Sequence, residues 1–302
     1  LIHALECIAL DKRFLYEVTY ILLYAMRFPK VDNYVDSVRE LLGRIYQLGH
    51  AQTNATFNER FNVIIQLNTT YPKEVFWILC HMIDSITEPH SFFISQGFPT
   101  QIYRHKKEND TIYVGDLNNI LSFIPEVYSS TEDDYLKCIN IAMRRKLINL
   151  TSPLIDFLTK EATNFKKNVR IIDEVEKEIS HHERYKDADW ALTKSELIPF
   201  KTIVKILCSD DILMLNRKFF RNDPPIQTKS YSTEKFAECE RLSWELRGRK
   251  IQEIIDLWGI EKGWLFSKTV ENPQSIFEGL STLTNLNYSN EIYAALVADK
   301  IE

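Results

Sequence analysis

His181, His182, Asp187 and Asp189 lie close together in the chain, and these are residue types that hold a divalent ion when a fold gathers them. Carboxylates supply hard oxygen donors and imidazoles supply nitrogen donors. The rival reading is an acidic turn leading into a capped helix, with Trp190 plugging a seam between helices. It asks less of the fold and is the reading adopted, so no metal and no cofactor is assigned. The second polar run is His50-Ala51-Gln52-Thr53. His50 with Cys7 or Cys80 would make a base and a nucleophile if folding joined them. No spacing in the sequence brings them together. His50, Gln52 and Thr53 are therefore read, with Asp187, Asp189 and Trp190, as structural motif residues, and no catalytic residue is assigned.

Phosphate chemistry is excluded on firmer ground. Only eight glycines occur in 302 residues. The glycine-rich loops that cradle nucleotide phosphates, and the nucleophile elbow of hydrolases, are absent with them. The five cysteines are scattered, with no CxxC pair to suggest zinc. Most of them sit among apolar residues, where a free thiol acts as a small hydrophobe and a reducing cytoplasm fits. A net charge of −5 disfavours nucleic acid as a partner. The basic clusters at 104–107, 144–146 and 247–250 read as solvated faces. No apolar run is long enough to span a membrane.

The elements that must position these residues read as helices almost throughout. Residues 12–28 carry Leu15, Val18, Leu22, Ala25 and Met26 on one face and Phe14, Ile21 and Phe28 on a second. Two apolar faces predict packing on two sides, as in a stacked helical layer. Thr56-Phe57-Asn58-Glu59 is a capping box opening the next helix, and Pro72 opens the one after it. The short connection makes these two antiparallel neighbours. Helices resume over 117–128 and 132–146, and Ser152-Pro153 opens another. The apolar spacing from Leu154 to Ile179 fits one long helix or two. Thr193-Lys194-Ser195-Glu196 is a second capping box, Asp223-Pro224-Pro225 a breaker, and 233–258 a long polar helix followed by three short ones. Trp244, Trp258, Trp264 and Phe219-Phe220 read as core or interface anchors.

Residues 87–116 interrupt the pattern with Pro89, Gly97, Pro99 and Gly115. A β-hairpin or a long ordered loop near 97–116 fits, and such an insertion is a place for binding. Its candidate binding residues are Tyr103, Arg104, Lys106, Lys107 and Tyr113. The expectation is an all-α, irregular helical-repeat array. It comprises N-terminal layers over 1–86, the insertion over 87–116, and a continuous C-terminal array over 117–302. Helix pairs recur only loosely, without a tetratricopeptide or ankyrin consensus.

Ordered motifs then resemble a known group. They are Leu5-Glu6-x-x-Ala9-x-Asp11, His50-Ala51-Gln52-Thr53-x-Ala55-x-x-x-Glu59-Arg60, Asp187-Ala188-Asp189-Trp190-Ala191-Leu192, and Arg249-x-x-x-Glu253-Ile254 followed by Val270-Glu271-x-Pro273. In this order they resemble the large bacterial STAND-type NTPases of antiphage defence, the Avs-like group. Gly49 and Ala51 depart from the group's Trp and Pro, and Phe219-Phe220 from its Trp-containing run. The resemblance implies that an effector and a P-loop ATPase lie upstream, since the chain opens without Met in what reads as mid-helix. It also implies that this segment is a non-catalytic, cytoplasmic sensor. Its partners would then be a protein ligand, such as a phage protein, and the ATPase domain of the same chain. Two rivals follow from the residues: a helical scaffold or oligomerisation module, and a metal-dependent enzyme centred on 181–189.

Overall fold

The computed structural model describes residues 2–27, 32–48, 51, 53–87, 114–209, 211–221 and 233–283. The fold is an all-α helical array, and no strand occurs among the described residues. None of their helices is long and apolar enough to cross a membrane. The chain divides into two compact units at 157/158.

The first unit contains α1 (Ile2–Ala9), α2 (Leu15–Met26), α3 (Asp32–Tyr46), α4 (Phe57–Asn68), α5 (Pro72–Thr87), α6 (Val114–Val127) and α7 (Glu132–Ala142). α8 (Ser152–Glu161) spans the boundary. The second unit contains α9 (Val169–Arg184), α10 (Ile198–Cys208), α11 (Ile212–Asn216), α12 (Thr233–Trp258), α13 (Ile260–Ser267) and α14 (Gln274–Leu280).

In the first unit α3 packs between α2 and α5. Leu41, Leu42, Ile45 and Tyr46 of α3 are fully buried, as are Leu22 of α2 and Leu79 of α5. A buried polar contact in this largely apolar layer joins α2 to α3, where Thr19 Oγ1 and Tyr46 Oη lie 2.8 Å apart. The predicted helix over 12–28 forms with a modified start. Asp11 caps a 3-10 turn over Lys12–Phe14 by accepting from the Arg13 amide at 3.0 Å, and α2 follows. Its Leu15, Val18 and Leu22 face is buried as expected, whereas Ala25 and Met26 are only half-buried. The second apolar face is not packed: Phe14 and Ile21 are exposed.

The capping box at Thr56 forms in full, with the Glu59 amide donating to Thr56 Oγ1 at 3.3 Å and the Thr56 amide to Glu59 Oε2 at 2.8 Å. α5 opens at Pro72 and packs on α4. Of the segment 97–116 only 114–116 are described, and they begin α6, so Val114 is helical where a strand end was expected. The remainder, with the hairpin, lies outside the described residues.

The stretch left open between one helix and two is two. A 3-10 turn over Ala162–Phe165 ends the first, Lys167 adopts a left-handed φ of 62°, and Asn168 caps α9. The break is held by the Lys167 amide donating to Leu207 O at 2.7 Å. The predicted 132–146 helix stops at Ala142 and continues as turns. α12 runs over the predicted 233–258.

The second unit closes around Phe220, Ile251, Ile254, Ile255, Phe266 and Leu280. Here α12 and α14 approach closely because both contribute glycine at the crossing. A Cβ on Gly248 would lie 2.8 Å from the Gly279 carbonyl oxygen, and one on Gly279 would lie 2.9 Å from the Arg247 backbone.

Candidate functional site

The first two motif segments meet in the first unit. Asp11 ends the first, and Lys12 beside it bonds Glu59 of the second at 2.7 Å. The Asn54 amide donates to Leu10 O at 2.9 Å, which clips the 51–56 loop onto the end of α1. Arg60, 6% exposed, donates from Nη1 to Ala55 O at 2.9 Å and so braces the same loop from inside. Thr53 is buried and accepts the Ala55 amide. Glu6, 5% exposed, faces Arg44 of α3 at 3.3 Å. Among the described polar members, Glu6 and Glu59 end in contacts with distant parts of the unit, and Asp11, Thr53 and Arg60 in contacts close by in the chain.

The electrostatics agree with a structural role. The Lys12 ammonium, with the Thr56 amide and hydroxyl behind it, holds the Glu59 carboxyl down to about 2. The Arg13 guanidinium does the same for Asp11, also to about 2. A general acid or base working near neutrality needs the opposite displacement. Burial pushes the Cys80 thiol up to about 12, far from an activated nucleophile. Cys7 is exposed. His50 and Gln52, along with Tyr103, Arg104, Lys106, Lys107 and Tyr113, lie outside the described residues.

The third motif segment sits at the C-terminal end of α9. The Leu192 amide donates to His182 Nδ1 at 3.0 Å, so the turn over 185–192 folds back onto its own helix. A backbone amide can only donate, which fixes this nitrogen as unprotonated. Burial, and secondarily His181, lowers the affinity of His182 for a proton, in keeping with that bond. Trp190 stacks on His181 with ring centroids 4.7 Å apart and planes at 19°. Tyr185 closes the cluster at 5.0 Å from the His181 ring.

One expectation is corrected here, and the geometry of one rival reading can be read off. Trp190 does not plug a seam: at 44% exposed it caps His181 from the solvent side. The histidines and aspartates do not assemble into a metal-ligating group, since His182 is buried with Nδ1 spent on Leu192 while Asp187 and Asp189 face solvent. The second capping box forms, with the Glu196 amide donating to Thr193 Oγ1 at 3.3 Å, but it shapes a turn before α10, which begins at Ile198.

No protein-family description, curated protein or solved structure matches this chain.

What the sequence reading missed is a buried ionic lattice in the second unit. Arg217 and Arg221, each 5% exposed, both reach Asp173 of α9, at 3.2 and 2.8 Å. Lys218 reaches Glu176 at 3.2 Å. Arg247 of α12, which the sequence places in a solvated basic cluster, is instead buried. It donates to the carbonyls of Phe219 and Arg221, each at 2.9 Å, and pairs with Glu278. Among the remaining anchors, Phe220 is core, Trp244 half-buried and Trp258 exposed, while the Trp264 side chain lies outside the described residues.

Proposed function

We propose that this chain is a non-catalytic protein-recognition module of a cytoplasmic STAND-like ATPase in antiphage defence. The observation that carries the reading is the ordered set of motifs. What supports it structurally is the use to which those motifs are put. The 5–11 and 51–60 segments are locked into each other, and 182–192 folds back on α9, so the resembling residues serve to hold a scaffold. A scaffold of this kind works through its surface. Binding of a folded protein at that surface would favour one conformation of the whole protein over another, by differential affinity.

The test uses the complete protein containing this segment. The wild-type protein should capture a phage protein in a pull-down and protect cells against the phage that encodes it. Deletion of the segment should abolish both. If the segment captured no phage protein and its deletion left protection intact, the reading would be lost.

A further inference from the structure

The two-faced apolar pattern of α2 finds cover for only one face. Ile8, Phe14, Tyr16, Tyr20, Ile21 and Tyr24 are each between 41% and 51% exposed, which gathers six large apolar side chains of the described residues at the surface within residues 8–24. Three of them, Tyr16, Tyr20 and Tyr24, recur at a spacing of four and form a ridge along the helix. Tyr16 stacks on Tyr20 at 6.5 Å, and Tyr20 meets the buried Tyr71 edge-on at 5.6 Å, so the ridge is held rigid from below. Rigid tyrosines present large contact area at low entropic cost and are enriched at interface centres.

We propose that this face of α2 is an interface between two copies of this chain. The charges around it decide in favour of self-association. An isologous contact sets identical surfaces against each other, so any net charge in the patch would repel itself. At this rim the charges are already paired within the chain. Arg13 pairs with Asp11 at 2.6 Å, Lys12 with Glu59 at 2.7 Å, and Arg27 with Glu74 at 3.3 Å. Among the described residues, Glu17 alone carries a charge inside the ridge with no such pairing. An antiparallel crossing centred on Tyr20 sets Tyr16 of one copy beside Tyr24 of the other. It keeps the two Glu17 carboxylates about 9 Å apart along the axis, at 1.5 Å per residue. Ridges on a four-residue spacing interdigitate in such crossings. The area is also adequate. Four half-exposed rings, at roughly 150–250 Å² for a full ring, and Ile21 approach the lower bound of about 1,000 Å² for a specific interface counted over both copies. This inference does not depend on the recognition reading above.

Sedimentation velocity of the whole chain over a micromolar concentration series tests it. A reversible monomer–dimer equilibrium is expected, no weaker at high salt than at low salt, because the only unpaired charges described in the contact are the two Glu17 carboxylates and salt screens their repulsion. Tyr16→Glu and Ile21→Glu should each weaken it by about tenfold or more, at unchanged helical circular dichroism. Tyr16→Ser provides a milder variant should the charged ones disturb folding. Leu257→Glu, at a still more exposed apolar site of the second unit, should leave the equilibrium as it is. A monomer at every concentration would overturn the proposal and assign the face to a different molecule. So would a dimer that folded Tyr16 and Ile21 variants leave intact, or one that Leu257→Glu weakens equally.

Discussion

The two units solve the same problem, satisfying polar groups inside a helical array, in different ways. The first buries fewer charges among the described residues, Glu6 against Arg44 and Arg60 against the Ala55 carbonyl, and places other polar contacts at helix starts, where Thr56, Glu59, Asp11 and Lys12 cap and tie exposed ends. The second buries Glu176, Arg217, Arg221 and Arg247 within its packing. The cause lies in the backbone. Residues 217–221 form a 3-10 turn and then extended chain, so their carbonyls lack helical partners. Buried carbonyls require donors. Arg247 supplies them to Phe219 and Arg221, and the Asn272 amide supplies one to Phe220 at 3.2 Å. Irregular backbone in the interior thus brings charged side chains in after it, and those charges need carboxylates in turn.

The difference is open to direct attack. Asp173→Ala should cost the most, about 3–5 kcal/mol of stability, because it leaves two buried guanidiniums without their carboxylate. Denaturant titration of the variant checks it; a loss under 1 kcal/mol would mean that water reaches the arginines and that the contrast between units is only apparent. Gly248→Ala should cost about 1–3 kcal/mol, since the new methyl meets the Gly279 carbonyl at 2.8 Å and backbone cannot step aside cheaply. In the first unit the comparable interior change is mild. Tyr46→Phe removes only the bond to Thr19, with an expected loss of about 1 kcal/mol in the same titration. Lys12→Met at the surface should have the smallest effect, leaving the unfolding midpoint in the same titration essentially where it was.

Acid separates the units by range. His182 binds a proton less readily folded than unfolded, so the unfolded chain takes up more protons once the pH drops below about 6.5. Its contribution is therefore present above that pH and is lost as pH falls toward its lower folded value, loosening the 185–192 turn first. Glu59 behaves as a depressed acid. Its contribution is present above about 4.5 and is lost as pH falls through about 2, where the Lys12 pair breaks. Trp190 fluorescence in an otherwise Trp-to-Phe background, followed down the pH scale, should change well before any change at the Lys12–Glu59 pair. Simultaneous changes would refute the ordering.

Much of this was legible in the residues. The Thr56 box, the Pro72 start and the 233–258 helix rest on local chemistry, and local chemistry is written in consecutive positions. The break before α9 was not legible. It depends on Lys167 bonding Leu207 forty positions later, and no window of sequence contains both. Arg247 looked like surface for the same reason: a basic run is solvated unless distant carbonyls claim one of its members. The α2 pattern announced two packing faces, but not that the second would face outward. Of the candidate residues, Thr53 bonds the Ala55 amide and the 185–192 turn bonds back to His182, partners that the sequence does not announce, and the exposed position of Trp190 was not legible either.

The buried thiols give each unit its own clock. Cys80 and Cys138 are sealed in the first and Cys208 in the second, all with thiols held protonated by burial. An alkylating reagent can reach them only when the surrounding helices open. The rate at which each sulfur is labelled under native conditions therefore counts the openings of its own unit, and exposed Cys7 provides the unprotected rate against which both are read.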